Sequence, residues 1–329
     1  VKTKYELIRR MNMSDSINNL TKGNEITVLI KLALPMLIGN IFQQFYNMVD
    51  SIVVGKYISA NALASVGATG SLCFLFFSLC YGMAGGVSIL VAQYFGAKDE
   101  DSVRATIANA IYLILGIGFL MSVIGVIFSR QCLLILKTPK EILDDAVVYM
   151  VIVSFGIVFV ALYNVISAIL RSLGDSVSSL VFLIISSIIN VGLDLLFVIE
   201  FNMGVMGVAV ATVIAQLFST VGIFIYAMIK NPYFQINSEQ RKLNVEIIKN
   251  CIKIGIPVGG QSALIALSCV ILQGVVNHFG ATVVATFTAT SRIEQLVQQP
   301  FNSLGTAFAA FTGQNIGAGK IDRVKKGYR

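Results

Sequence analysis

The chain has 329 residues, of which 56% are hydrophobic and only 12% charged, with a net charge of +7. Mean hydropathy is +0.81. A soluble domain carries about 25% charged residues, so an ordinary water-soluble globule is excluded and a polytopic helical membrane protein is expected. Five cysteines without a CxxC pair and a single histidine, His278, leave no basis for a disulfide framework or a His-rich metal site.

The first 25 residues are polar and of mixed charge, with no apolar core of a signal peptide. Val1 is not an initiator, so either Met11 or Met13 marks the natural start or the sequence is a fragment. Eight apolar spans follow, at 28–54, 63–95, 105–128, 146–170, 178–199, 205–229, 254–277 and 284–316. Each reaches the roughly 20 residues that cross a hydrocarbon core of ~30 Å. Spans two and eight exceed that need and are expected to tilt or to extend past the membrane.

Span one carries Asn40, Gln43, Asn47 and Asp50, whose steps of three and four put them on one helical face. A carboxylate near the membrane interior costs at least ~2.5 to 3.5 kcal/mol, so this stripe is expected to face a wet cavity. Span four offers Tyr149, Asn164 and Ser167 to the same cavity. In span five, Asn190 and Asp194 share a face with Ser187 alongside, and span six adds a milder stripe of Thr212, Gln216 and Thr220.

Between spans six and seven, residues 231–253 pattern as an amphipathic helix at the membrane interface, with Ser238 as a possible cap and Leu243, Ile247 and Cys251 at helical spacing. A solvated linker helix is the simpler account. Span eight is the most polar, with Arg292 and Glu294 two apart and so not facing one another. A cavity-lining role for these two stands beside a purely structural ion-pair network.

Of seventeen Asp and Glu, only Asp50, Asp194 and Glu294 lie well inside spans. Two carboxylates with amide and hydroxyl oxygens are hard-ligand chemistry, suited to an alkali cation or a shared proton. If Asp50 and Asp194 converge, a proton or Na⁺ entering between them relieves their repulsion, and the pair titrates as a unit. The alternative is that neighbouring hydroxyls and amides satisfy each acid separately.

An internal repeat sets the architecture. Lys31-Leu-Ala-Leu-Pro35 matches Lys253-Ile-Gly-Ile-Pro257 at an offset of 222, and Gln93 and Gly96 match Gln314 and Gly317 at 221. Six spans separate the two prolines, and an even number returns the second copy in the same direction. The fold class is therefore an all-α polytopic membrane protein of two parallel six-helix lobes, the second truncated after two spans. The divisions are an N-terminal segment 1–25, an N-lobe 26–230, a linker 231–253 and the start of a C-lobe 254–329. With the N-terminus in the cytoplasm, nineteen Lys and Arg lie inside against four outside, with Arg292 within span eight. That positive-inside bias sets the orientation, with the N-terminus cytoplasmic, and it accounts for the basic excess without a nucleic acid. In this sorting Arg171 belongs to the loop after span four.

Leu34-Pro-Met-Leu-Ile-Gly-Asn40, Gln44-Phe-Tyr-Asn-Met-Val-Asp50, Ala92-Gln-Tyr-Phe-Gly-Ala97, Arg171-Ser-Leu-Gly-Asp175 and Thr312-Gly-Gln-Asn-Ile-Gly-Ala318 together resemble the multidrug and toxic compound extrusion family of secondary transporters. The resemblance runs from Leu20 to the tail and implies twelve spans in two lobes. It also implies a multi-pass protein of a bacterial plasma membrane and antiport of Na⁺ or H⁺ against organic cations and amphipathic drugs, without a cofactor, in a monomer. Asp50 falls on the family's first-helix aspartate, Asn190 and Asp194 on its fifth-helix pair, and Thr212 on its sixth-helix hydroxyl, an implied N-lobe cation site. Tyr149 and Asn164 look like fourth-helix members of that cavity. One departure is Ile265, where some branches carry a seventh-helix glutamate.

Enzyme signatures such as HExxH, GxSxG and Walker A are absent. The rival reading is a lipid-linked precursor flippase of the same superfamily. Such proteins need a strongly cationic cavity for pyrophosphate, and Arg292 is the only basic residue read as lying deep in a span.

Overall fold

The computed structural model describes residues 19–136, 138–277 and 281–328. Nine long or medium helices run in chain order: α1 (Glu25–Tyr57), α2 (Ala60–Gly96), α3 (Glu100–Ile135), α4 (Lys140–Phe155), α5 (Ile157–Ser172), α6 (Val177–Leu195), α7 (Gly204–Lys230), α8 (Val245–Asn277) and α9 (Ala281–Gly317). A short α10 (Ile321–Gly327) closes the described chain, and no strand occurs among the described residues. Short polar residues start the long helices. Asn24 accepts from the Ile26 and Thr27 amides at 3.1 and 3.3 Å, Ser59 from Ala62 at 3.0 Å, and Asp99 from Ser102 at 3.0 Å. Each cap satisfies amides that have no intrahelical partner, at the level where a membrane begins.

Six of these helices are long and apolar enough to cross a membrane, or seven if α4 and α5 form one span bent by 47°. The bend falls at Gly156, inside the expected span four, where a residue of low helix propensity interrupts the ladder. At 37 residues, α9 covers the expected eighth span and is long enough to cross, but it is not among the helices apolar enough to do so over their described residues. Large side chains such as Phe119, Ile188 and Phe218 point outward and are more than half exposed, as a lipid-facing surface requires.

Helices α1 to α7 form one bundle, and α8 and α9 pack against its α2 and α1. Since α1 is the repeat mate of α8, and α2 of α9, the α2–α8 and α9–α1 contacts are one interface made twice. The motif pairs show the symmetry at atomic scale. A Cβ on Gly96 would fall on the Gln314 backbone carbonyl, and a Cβ on Gly317 would fall on that of Gln93. Along the α2–α8 seam, Gly82 and Gly86 lie against Gly255 and Gly259, so a GxxxG on each helix lets two backbones touch.

The lobes are closed at the face where α1 begins. Gln314 accepts from the Leu20 amide at 3.0 Å and donates to the Ser172 carbonyl at 2.7 Å. Lys320 donates to the Thr21 carbonyl at 2.9 Å, and Arg323 pairs with Glu25 at 3.0 Å while donating to the Lys22 carbonyl at 3.0 Å. Toward the other face, α8 from Leu264 to Leu272 exposes its leucines and isoleucines.

The segment between α7 and α8 differs from the expected amphipathic helix over 231–253. It is a 3₁₀ turn (Pro232–Phe234) followed by loop, and the amphipathic pattern from Leu243 onward belongs to the first turns of α8. The start is set by Asn244, whose side chain accepts from the Glu246 and Ile247 amides, rather than by Ser238. Buried Phe234 and Asn109 hold the loop down: Asn109 donates to the Lys242 carbonyl at 3.3 Å and accepts from the Asn244 amide at 2.8 Å. Asn109→Ala therefore leaves two backbone groups unpaired, at a cost of about 1–3 kcal/mol. Limited trypsinolysis is expected to cut at Arg241 or Lys242 several-fold faster in that variant, and an unchanged rate would show that Phe234 alone anchors the loop.

Candidate functional site

The N-lobe encloses a polar cavity of about 280 Å³, walled by α1, α5, α6 and α7, with Ser303 and Thr306 of α9 at its edge. Period-3.6 spacing builds the walls. On α6, Ser176, Ser179, Leu183, Ser186 and Asn190 follow one face, and on α1, Met36, Asn40, Gln43 and Tyr46 do the same.

Asp50 and Asp194 come together beside Asn190 and Thr212. The carboxyls of Asp50 on α1 and Asp194 on α6 interact directly, and each has an Oδ1 that is buried without a partner. Asp194 is fully buried, and a single π turn over Leu196–Glu200 follows it, a local irregularity often found at functional positions. With its amide nitrogen toward the acid, Asn190 donates to Asp194 Oδ2 at 3.2 Å and accepts from the Thr212 amide at 3.3 Å. The Thr212 hydroxyl spends its proton on the Val208 carbonyl at 3.0 Å, which leaves oxygen lone pairs for the cluster. Tyr149 stands near both acids. The arrangement presents carboxylate and hydroxyl oxygens with no cationic side chain against them among the described residues, which suits a hard monovalent cation or one shared proton.

The remaining sequence-selected residues separate. Gln43 and Asn164 line the cavity away from the acids, with the Asn164 amide bonded to the Val160 carbonyl at 2.7 Å. Asn47 is exposed and outside the cavity, because it lies at the edge of the α1 face on which Asp50 is centred. Glu294 is exposed on α9 and does not line the cavity, and the Arg292 side chain lies outside the described residues.

Two residues escaped the sequence reading. Tyr46, one turn before Asp50, interacts with Thr212 and with both acids. Its i,i+4 spacing to Asp50 was the available signal. Arg171, sorted to a loop from its position, is in the last turn of α5, and its guanidinium lines the cavity.

A bundle of membrane-length helices whose first two members recur as α8 and α9, with an acid pair just outside the lining of its polar chamber, is the beginning of a two-lobe membrane fold. The MatE family model matches residues 35–196 and 257–329, and the chain belongs to this family, the multidrug and toxic compound extrusion proteins. It is 30% identical over 307 residues to the probable multidrug resistance protein YpnP of Bacillus subtilis (strain 168), covering 93% of this chain and 68% of that protein. Against the probable multidrug resistance protein YoeA of the same organism it is 29% identical over 300 residues, covering 89% of this chain and 65% of YoeA. The chain thus spans about two thirds of the length of these relatives. The fold is shared with a solved multidrug resistance MATE family transporter in an outward-facing conformation, at a TM-score of 0.88 and 24% identity over 94% of this chain and 69% of the other.

Proposed function

We propose that the protein is a secondary active exporter, moving Na⁺ or H⁺ inward in exchange for organic cations and other amphipathic drugs. The two lobes alternate in exposing the chamber, and the N-terminus faces the cytoplasm. The meeting of Asp50 and Asp194 carries this reading. Two adjacent carboxyls with unpartnered buried oxygens repel each other unless a proton or metal cation sits between them. Binding and release of that ion supplies a differential interaction with the two lobe arrangements, without which no gradient can drive the cycle. The relatives' names as multidrug resistance proteins support the substrate class.

The flippase alternative is not favoured. A pyrophosphate needs several cationic groups, and among the described residues Arg171 is the one charged residue on the cavity wall. The test is transport by protein reconstituted in proteoliposomes loaded with a fluorescent organic cation. An imposed Na⁺ or pH gradient is expected to accelerate dye movement, and identical rates with and without both gradients would overturn the proposal.

A further inference from the structure

Arg171 is a half-buried cation that pairs with no carboxylate among the described residues. The paired arginines of the described chain, Arg104, Arg130 and Arg323, each reach a carboxylate at 3.0 to 3.5 Å, whereas Arg171 makes no such pair. Its Nε is buried with no hydrogen-bond partner, and its guanidinium lines the cavity wall. Guanidinium does not deprotonate in a protein, so this site holds a full positive charge.

The acid nearest in sequence is unavailable. Asp175 spends one carboxylate oxygen on the Ser178 amide at 3.0 Å and the other on the Ser178 hydroxyl at 2.6 Å. Carbonyls at the end of α5 are taken as well: those of Ile169 and Leu170 accept from the Leu173 amide, and that of Ser172 accepts from Gln314. The helix dipole at this C-terminus favours a cation, but it supplies only a partial charge.

A second unsatisfied group adjoins. Tyr163, Ser167 and Arg171 follow at steps of four on one face of α5, and the Ser167 Oγ is also buried without a partner. Tyr163 lies near the guanidinium and gives its own proton to the Ser179 carbonyl at 3.0 Å. The charged fork thus stands at the end of the cavity remote from Asp50 and Asp194, with Ser167 buried behind it beside Tyr163. The separation from Ser176 to Asn190 along α6 is about 21 Å at helical rise.

We propose that this end of the cavity is an anion site, in which a small monoanion docks on the Arg171 guanidinium. Planar carboxylate fits the fork best, because two parallel N–H donors match its two oxygens. The shared chemistry has two sources, halide from solution or the carboxylate of an amphiphilic solute. Neither depends on the exporter reading, since binding is measured without transport.

The experiment titrates the detergent-purified chain with sodium benzoate, sodium chloride or neutral benzamide at constant ionic strength, made up with the non-planar sulfonate isethionate, and follows thermal unfolding. Saturable stabilisation by benzoate and not benzamide, weakened about tenfold or more in Arg171→Gln, supports a carboxylate site. Saturation by chloride alone, lost in the same variant, supports the site with a solution halide as occupant. Arg171→Lys is expected to keep a chloride response and lose the preference for benzoate. If Arg171→Gln does not fold, bromide-soaked crystals of the unaltered chain decide: anomalous density at the guanidinium supports the site, and its absence overturns it. No saturable response, or equal responses in both proteins, overturns it too.

Discussion

Asp50→Asn is expected to abolish ion-driven efflux while leaving the amount of protein in the membrane unchanged. The Asp50 and Asp194 carboxyls meet in one pocket, and a cation between them is attracted by both. At an effective dielectric near 20, one unit charge at 4 Å is worth about 4 kcal/mol, so removing it weakens cation binding by up to roughly a thousandfold. Asparagine keeps the shape and supplies an amide oxygen, so packing is preserved and the charge is the only large loss. Asp194→Asn is expected to match it. Because the two acids act as one unit, the double variant is expected to cost little more than either single one. Removing one of two like charges also removes their repulsion in the ion-free protein. Asp50→Asn is therefore expected to unfold at a higher temperature than the parent in Na⁺-free alkaline buffer. Wild-type efflux by Asp50→Asn would remove the pair from the coupling mechanism, and a lowered unfolding temperature would show that the lost activity is a folding defect.

The second large effect is expected at the duplicated glycines. An alanine methyl at Gly96 has no room against the Gln314 carbonyl, nor one at Gly317 against that of Gln93, and in both cases the obstacle is backbone. The lobes must part at this face, at a cost of about 1–3 kcal/mol for overpacking, and the closed arrangement loses population accordingly. Once Gly96→Ala has separated the two surfaces, Gly317→Ala meets less resistance, so the double variant is expected to fall well short of the sum. Cys251, almost fully buried where α8 meets α2, is a native reporter of this seam. In a background with the other four cysteines changed to serine, its labelling by a permeant maleimide is expected to rise about five- to thirtyfold in either single variant. Labelling at the parent rate would mean that closure does not require these glycines.

The acid pair was legible because a carboxylate inside an apolar span has few reasons to be there. The lobe duplication was legible because Pro35/Pro257 and Gln93/Gln314 keep nearly the same offset. What the pattern could not supply was direction at a boundary. Arg171 reads as a loop residue because it is basic and follows the last apolar residue of its span, yet α5 continues through Ser172 and turns it inward. Asn47 failed for the related reason that a step of three or four fixes a face only within a wide arc, and it lies at the rim. Tyr46 and the glycines at 82, 86, 255 and 259 were visible as spacings, but aromatic and glycine residues are common in membrane helices. Only the partner helix shows that they touch. In the inter-lobe segment, Asn244 outcompeted Ser238 as the cap because Asn109 pins the backbone there.

The side chain of Gln314 grips two separate stretches of the other lobe at once, the Leu20 amide and the Ser172 carbonyl, while Lys320 and Arg323 hold the residues just beyond. Each of these bonds is replaced by one to water on release, so together they shift the balance of states only modestly. Water already reaches the outer bonds of Lys320 and Arg323, but the two buried bonds of Gln314 must let go together before water can take them over. Such a clasp governs tempo more than destination, making the movement abrupt and strongly temperature-dependent while leaving its end points to the bound ion and cargo.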